Sequence, residues 1–185
     1  MEFEEIIKNI KIPATVIHVI AVVFGMGGAL VSDLLFSFFA KDKKLNQTEI
    51  STLSLLSNAV FYSLIVIIFS GITIFLSNID KYSNSDKFLA KISILVILLI
   101  NGYVLNKIVW PHLLTNKFFN LKKERNIRRL AFACGAISVV SWLSVCTLGV
   151  LDSLDISYTL IISFYILITG TGIVTALLVE KRELN

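Results

Sequence analysis

The first long apolar stretch of the chain decides the fold class. Residues 12–40 read IPATVIHVIAVVFGMGGALVSDLLFSFFA, and their strongly polar side chains are His18 and Asp33. A helix of this length measures roughly 43 Å, which exceeds the hydrocarbon thickness of a bilayer, about 30 Å. Because the stretch is too long for a strand and lacks an alternating pattern, it predicts a helix that spans a membrane.

The same pattern recurs along the rest of the chain. We predict five membrane spans, at about residues 12–40, 53–76, 88–110, 130–151 and 156–179. Of the 185 residues, 56% are hydrophobic and 16% are charged, against about 25% charged in a typical soluble domain. This composition excludes a soluble globular enzyme and a disordered chain. The predicted fold is all-α: one integral membrane domain, residues 1–185, folded as a polytopic bundle of five transmembrane helices.

The distribution of basic residues predicts the orientation. With five spans, eleven Lys and Arg residues fall on one side of the membrane and four on the other, with the largest group in the loop between Lys117 and Arg129. Basic loops stay on the cytoplasmic side, so we expect the N-terminus outside and the C-terminus in the cytoplasm. The net charge of +4 is explained in the same way, by contact with anionic lipid headgroups, so we expect no nucleic-acid partner.

Two local patterns predict helix boundaries. Asn46 and Glu49 have the spacing of a capping box, so the second helix should begin before the membrane. Pro111 follows an interfacial Trp110, and we expect the proline to end the third helix.

Polar groups within apolar spans are the candidate functional residues, because each costs several kcal/mol in hydrocarbon unless it has a partner. Helical rise places His18 and Lys91 in one layer near the outer edge, and Asp33 and Lys107 near the cytoplasmic edge. Lys107 is expected either to reach the headgroups or to pair with Asp33. The full set is His18, Asp33, Asn58, Lys91, Asn101 and Lys107.

One face of the first helix combines a histidine with small residues. His18, Gly25 and Ser32 share this face, since seven residues bring a helix back to within about 20° of the same direction. Small residues allow close helix packing, and they also leave space for a flat ligand beside Gly25. His18 is expected either to hydrogen-bond a neighbouring group or to serve as an axial metal ligand or proton relay. His112 lies at the opposite edge, so the two histidines are not expected to ligate one iron.

The stretch Ile17–Gly28 resembles the first helix of a group of small bacterial membrane proteins that includes the haem-associated protoporphyrinogen oxidase and the copper-resistance protein D family. The segment Phe88–Val96 is also similar to that group, in which a lysine opens a later helix. The resemblance implies haem b as cofactor, with His18 as a ligand and Lys91 as a second site residue. The stretches 100–103 and 130–133 differ from the family pattern, which favours a separate branch.

Three classes of function agree with the sequence. The first is a haem-binding, redox-linked membrane protein centred on His18 and Lys91. The second is a small transporter or channel whose pathway includes Asp33, Asn58 and Asn101. The third is a structural or accessory subunit of a larger membrane complex or a homo-oligomer. The richness in Lys, Asn and Ile is typical of an AT-rich bacterial genome, so we expect the bacterial inner membrane as its location.

Overall fold

A computed structural model describes residues 2–40, 44–114, 124–151 and 156–184. These residues form helices and turns without a strand, and five of the helices are long and apolar enough to cross a membrane. These five cover Asn9–Phe39, Gln47–Leu76, Asp86–Leu113, Arg125–Val150 and Tyr158–Arg182. The all-α, five-span prediction is therefore confirmed.

The helices are numbered in chain order. They are α1 (Glu2–Phe39), α2 (Gln47–Leu76), the short α3 (Ile79–Ser83), α4 (Asp86–Val104), α5 (Trp110–Leu113), α6 (Arg125–Val150) and α7 (Tyr158–Leu184). A π-helical turn, Leu105–Val109, joins α4 to α5, so that α4, the π turn and α5 form one continuous third span.

Successive spans run antiparallel, and α6 lies at the centre of the bundle. The α1 helix packs most extensively against α2, while α6 contacts α1, α4 and α7. One end of the bundle is formed by Phe39, Gln47, Leu113, Arg125 and Arg182. We call it the basic end, and the opposite end the far end. Residues 41–43, 115–123 and 152–155, which carry part of the charge used to predict the orientation, lie outside the described residues.

The second helix begins before the predicted span, at Gln47, as its capping box predicts. The Asn46 side-chain oxygen accepts a hydrogen bond from the Glu49 backbone N–H at 2.9 Å. The Glu49 carboxylate accepts one from the Asn46 backbone N–H at 2.8 Å. These two bonds satisfy N–H groups that the first turn of a helix otherwise leaves without a partner.

The third span does not end before Pro111, so that prediction was wrong. The helix continues through the proline to Leu113. A proline ring crowds the carbonyl four residues earlier in a regular helix, and here that carbonyl belongs to Lys107, inside the π turn. The wider turn, closed by a bond from the Trp110 N–H to the Leu105 carbonyl, accommodates the proline without ending the span.

Candidate functional site

A cavity of about 110 Å³ lies towards the basic end, between α1, α2, α6 and the third span. Its polar lining comes from Ser32, Asp33, Ser57 and Asn106. Phe36 and Trp110 add aromatic rings, and the remaining wall is aliphatic. Four helical segments therefore bring a carboxylate, two hydroxyls and an amide to a mainly apolar space.

Asp33 is the acidic group of this cavity. Its Oδ2 atom is buried, and none of the described residues offers it a hydrogen-bond partner. Its Oδ1 atom faces Gly135 of α6: a Cβ atom added to this glycine would lie 3.6 Å from Oδ1. A buried carboxylate oxygen without a partner is costly and rare in native proteins, so its presence calls for a functional explanation.

The π turn builds the opposite wall of the cavity. The Asn106 amide donates to the Gly102 carbonyl at 3.1 Å and accepts a hydrogen bond from the Ser57 hydroxyl at 3.2 Å. This Ser57–Asn106 bond links α2 to the third span beside Asp33. Single π turns within α-helices are frequently found at functional sites.

His18 lies on α1 towards the far end, against α2. Its Nδ1 atom is 2.9 Å from the Ser70 hydroxyl, which itself donates its hydrogen to the Val66 carbonyl at 2.6 Å. The His18 ring and the Ser70 hydroxyl therefore join α1 to α2. The Lys91 ammonium is close enough to act electrostatically on this ring.

Gly25 of α1 packs tightly against α6. A Cβ at this position would lie 2.5 Å from Trp142 Cη2 and 3.2 Å from Ser63 Cβ. The indole, 3% exposed, fills the space that a flat ligand would need beside Gly25. A haem plane therefore does not fit against Gly25 in this arrangement. Haem b ligation by His18 and Lys91 stays a prediction of the resemblance.

The other predicted polar residues lie apart from one another. Asn101 is buried and donates to the Cys134 carbonyl at 3.0 Å, whereas Asn58 and Lys107 are exposed. The ion pairs found among the described residues do not include a pair between Asp33 and Lys107, which was one of the two alternatives predicted for Lys107. The structure therefore groups Asp33 with neutral side chains, and it leaves Lys107 on the outside of the π turn.

Sequence reasoning missed a buried ion pair between α6 and α7. Arg128 and Glu180 are 1% and 4% exposed, and the Arg128 Nε and Nη2 atoms each lie 3.2 Å from Glu180 Oε1. The sequence interpretation assigned Arg128 to a basic loop. The signal was available, because opposite charges occur at matching depth in two consecutive antiparallel helices.

No family model, no curated protein and no solved structure matches this chain.

Proposed function

We propose that this small multi-pass integral membrane protein transports a small cation, and that the Asp33 carboxylate binds that cation in the cavity. The observation that carries the proposal is the buried Asp33 Oδ2 atom, which has no partner in the described part of the chain and adjoins a cavity of about 110 Å³. The proposal includes the predicted orientation, with the basic end in the cytoplasm of a bacterial cell.

The electrostatics of the cavity favour a cation. A carboxylate in a low-dielectric environment is stabilised strongly by a nearby positive charge, since the attraction is only weakly screened there. Intramembrane carboxylates often mark ion and substrate pathways for this reason. An entering cation supplies the missing charge, and the hydroxyls of Ser32 and Ser57 replace part of its hydration shell.

A packed layer separates this cavity from the polar groups at the far end. Along α1, Asp33 and His18 are fifteen residues apart, roughly 22 Å. Between them lies the contact of Gly25 with Trp142 and Ser63. Transport therefore requires this layer to open, which is the expected behaviour of a carrier with two access states.

Reconstitution into sealed vesicles tests the proposal. Purified protein in phosphatidylethanolamine–phosphatidylglycerol liposomes is exposed to gradients of K⁺, Na⁺, H⁺ and methylammonium, and the electrical current is recorded on a solid support. We expect a current for at least one of these cations that Asp33→Asn reduces at least tenfold. Asp80→Asn is the matched control, because Asp80 is exposed in α3, and it should leave the current unchanged.

Two results would contradict transport through Asp33. One is the absence of any current above that of protein-free vesicles, with protein shown to be inserted and folded. The other is a current that Asp33→Asn and Asp80→Asn leave equally intact.

A further inference from the structure

We infer that the cation is a small organic ammonium ion that carries one positive charge and a few alkyl groups. This inference rests on the proposed function and names its substrate class. The observations that carry it are the charge, the aromatic rings and the volume of the Asp33 cavity.

The charge of the cavity matches a monovalent ion. Asp33 supplies the single carboxylate found among the described lining residues. The Asn106 amide is already engaged, since its oxygen accepts from Ser57 and its nitrogen donates to Gly102. Mg²⁺ and Ca²⁺ require about six or more oxygen ligands, and Mg²⁺ holds its waters tightly, so this lining suits neither ion.

The aromatic lining favours an ammonium ion over a bare metal ion. Phe36 and Trp110 both line the cavity that contains Asp33. Ring faces attract ammonium groups through the ring quadrupole, and the attraction increases when water is excluded. Alkyl groups on the nitrogen would pack against aliphatic neighbours such as Leu53 and Val109, a gain that an alkali ion does not obtain.

The volume of the cavity points in the same direction. A cavity of about 150 Å³ accepts benzene, so 110 Å³ suits a solute of slightly fewer heavy atoms. Methyl-substituted ammonium ions fall in this size range.

Calorimetric titration of the full-length protein in detergent tests the inference with tetramethylammonium and methylammonium chloride, against KCl and NaCl at equal ionic strength. We expect saturable binding of at least one ammonium ion, and at least tenfold weaker binding of K⁺ and Na⁺. Asp33→Asn should abolish the binding. Phe36→Leu and Trp110→Leu should each weaken it by about 3- to 30-fold.

Two control variants separate a direct contact from a general loss of packing. Phe38→Leu changes an exposed phenylalanine of the same helix and should leave the affinity unchanged. Trp110→Phe retains an aromatic face and should restore most of the affinity lost in Trp110→Leu. Thermal unfolding of each variant in the same detergent verifies that the bundle is intact.

The outcomes distinguish the two proposals. Asp33-dependent currents carried by K⁺, Na⁺ or H⁺, without ammonium binding, would overturn the substrate class and leave cation transport standing. Ammonium binding that is insensitive to both Phe36→Leu and Trp110→Leu would also overturn the inference. The absence of Asp33-dependent current and of binding for every cation would overturn both proposals.

Discussion

Two carboxylates lie towards the basic end of the bundle, and their surroundings differ sharply. Glu180 faces the Arg128 guanidinium at 3.2 Å, and both side chains are almost completely buried. Asp33 faces a cavity, and its Oδ2 atom meets no hydrogen-bond donor within the described ranges. The first carboxylate is satisfied by the protein itself, which is typical of a structural contact. The second is the one to which we assign a bound cation.

We assign different roles to the pair α6 and α7 and to the pair α1 and α2. The Arg128–Glu180 pair joins α6 to α7 near their basic ends, and a hydrogen bond of 2.9 Å between Ser141 and Tyr165 joins the same helices farther along. Asp33 instead lies where α1, α2 and the third span surround the cavity beside α6. We therefore expect α6 and α7 to act as a fixed support, and α1 and α2 to form the part that moves.

The largest expected effect on stability follows from breaking the ion pair between Arg128 and Glu180. Glu180→Gln removes the negative charge while Arg128 stays buried, so the free energy of unfolding should fall by about 3–5 kcal/mol. Unfolding in mixed micelles of increasing SDS content measures this change. Glu124→Gln is the control, because its 4.0 Å pair with the half-exposed His112 should contribute less than about 1 kcal/mol. Equal losses in both variants would contradict a structural role specific to Glu180.

An intermediate effect is expected at the contact that holds α1 against α6. Gly25→Ala places a methyl group 2.5 Å from the Trp142 ring, and such overpacking destabilises a core by about 1–3 kcal/mol. Because Asp33 and Gly135 face each other across the same pair of helices, ammonium affinity should fall together with stability.

Gly27→Ala is the matched control for this contact, since nothing in the described part of the chain lies within 4 Å of its new Cβ. Its unfolding free energy and its affinity should stay unchanged or rise slightly. A Gly25→Ala protein as stable as Gly27→Ala would show that the contact is looser than 2.5 Å implies.

The smallest expected effect on stability is at Asp33. Asp33→Asn replaces the carboxylate by a neutral group of the same shape, so the free energy of unfolding should stay constant or rise by up to about 1 kcal/mol. The same SDS titration measures it beside Glu180→Gln, and of the two variants only Glu180→Gln should lower the free energy of unfolding. A loss above about 2 kcal/mol at Asp33 would mean that this carboxylate is also structural.

The sequence predicts the helices well because hydrophobic length and capping chemistry are local properties. Five apolar stretches produce five helices, and the Asn46–Glu49 spacing fixes the start of the second one. Pro111 is the exception. Proline is expected to end a helix, but here a π turn allows the helix to continue through it. The formation of that π turn depends on how the third span packs, which spacing in the sequence does not encode.

The candidate site is only partly predictable from the sequence. The contacts between helices depend on how each helix is rotated about its axis and on which helices pack together. The sequence identifies Asp33 as a costly intramembrane group, but it does not reveal Ser57 and Asn106 as its neighbours. It suggests space beside Gly25, whereas the structure fills that space with Trp142. The ring comes from a helix more than a hundred residues later in the chain, so no pattern around Gly25 predicts it.

The π turn in the third span has a consequence for how this protein tolerates changes in length. A π turn contains one residue more than the α-helical turn it replaces. Deletion of a single residue within Leu105–Val109 would convert the turn to a regular helix with almost no rotation of the residues that follow, because the wider turn already offsets the rotation of about 100° that its extra residue would cause. Trp110 and Leu113 would then keep their places in the cavity wall, whereas a deletion within α4 itself would rotate them by about 100°. The third span thus tolerates the loss of one residue in this turn but not in the regular helix beside it.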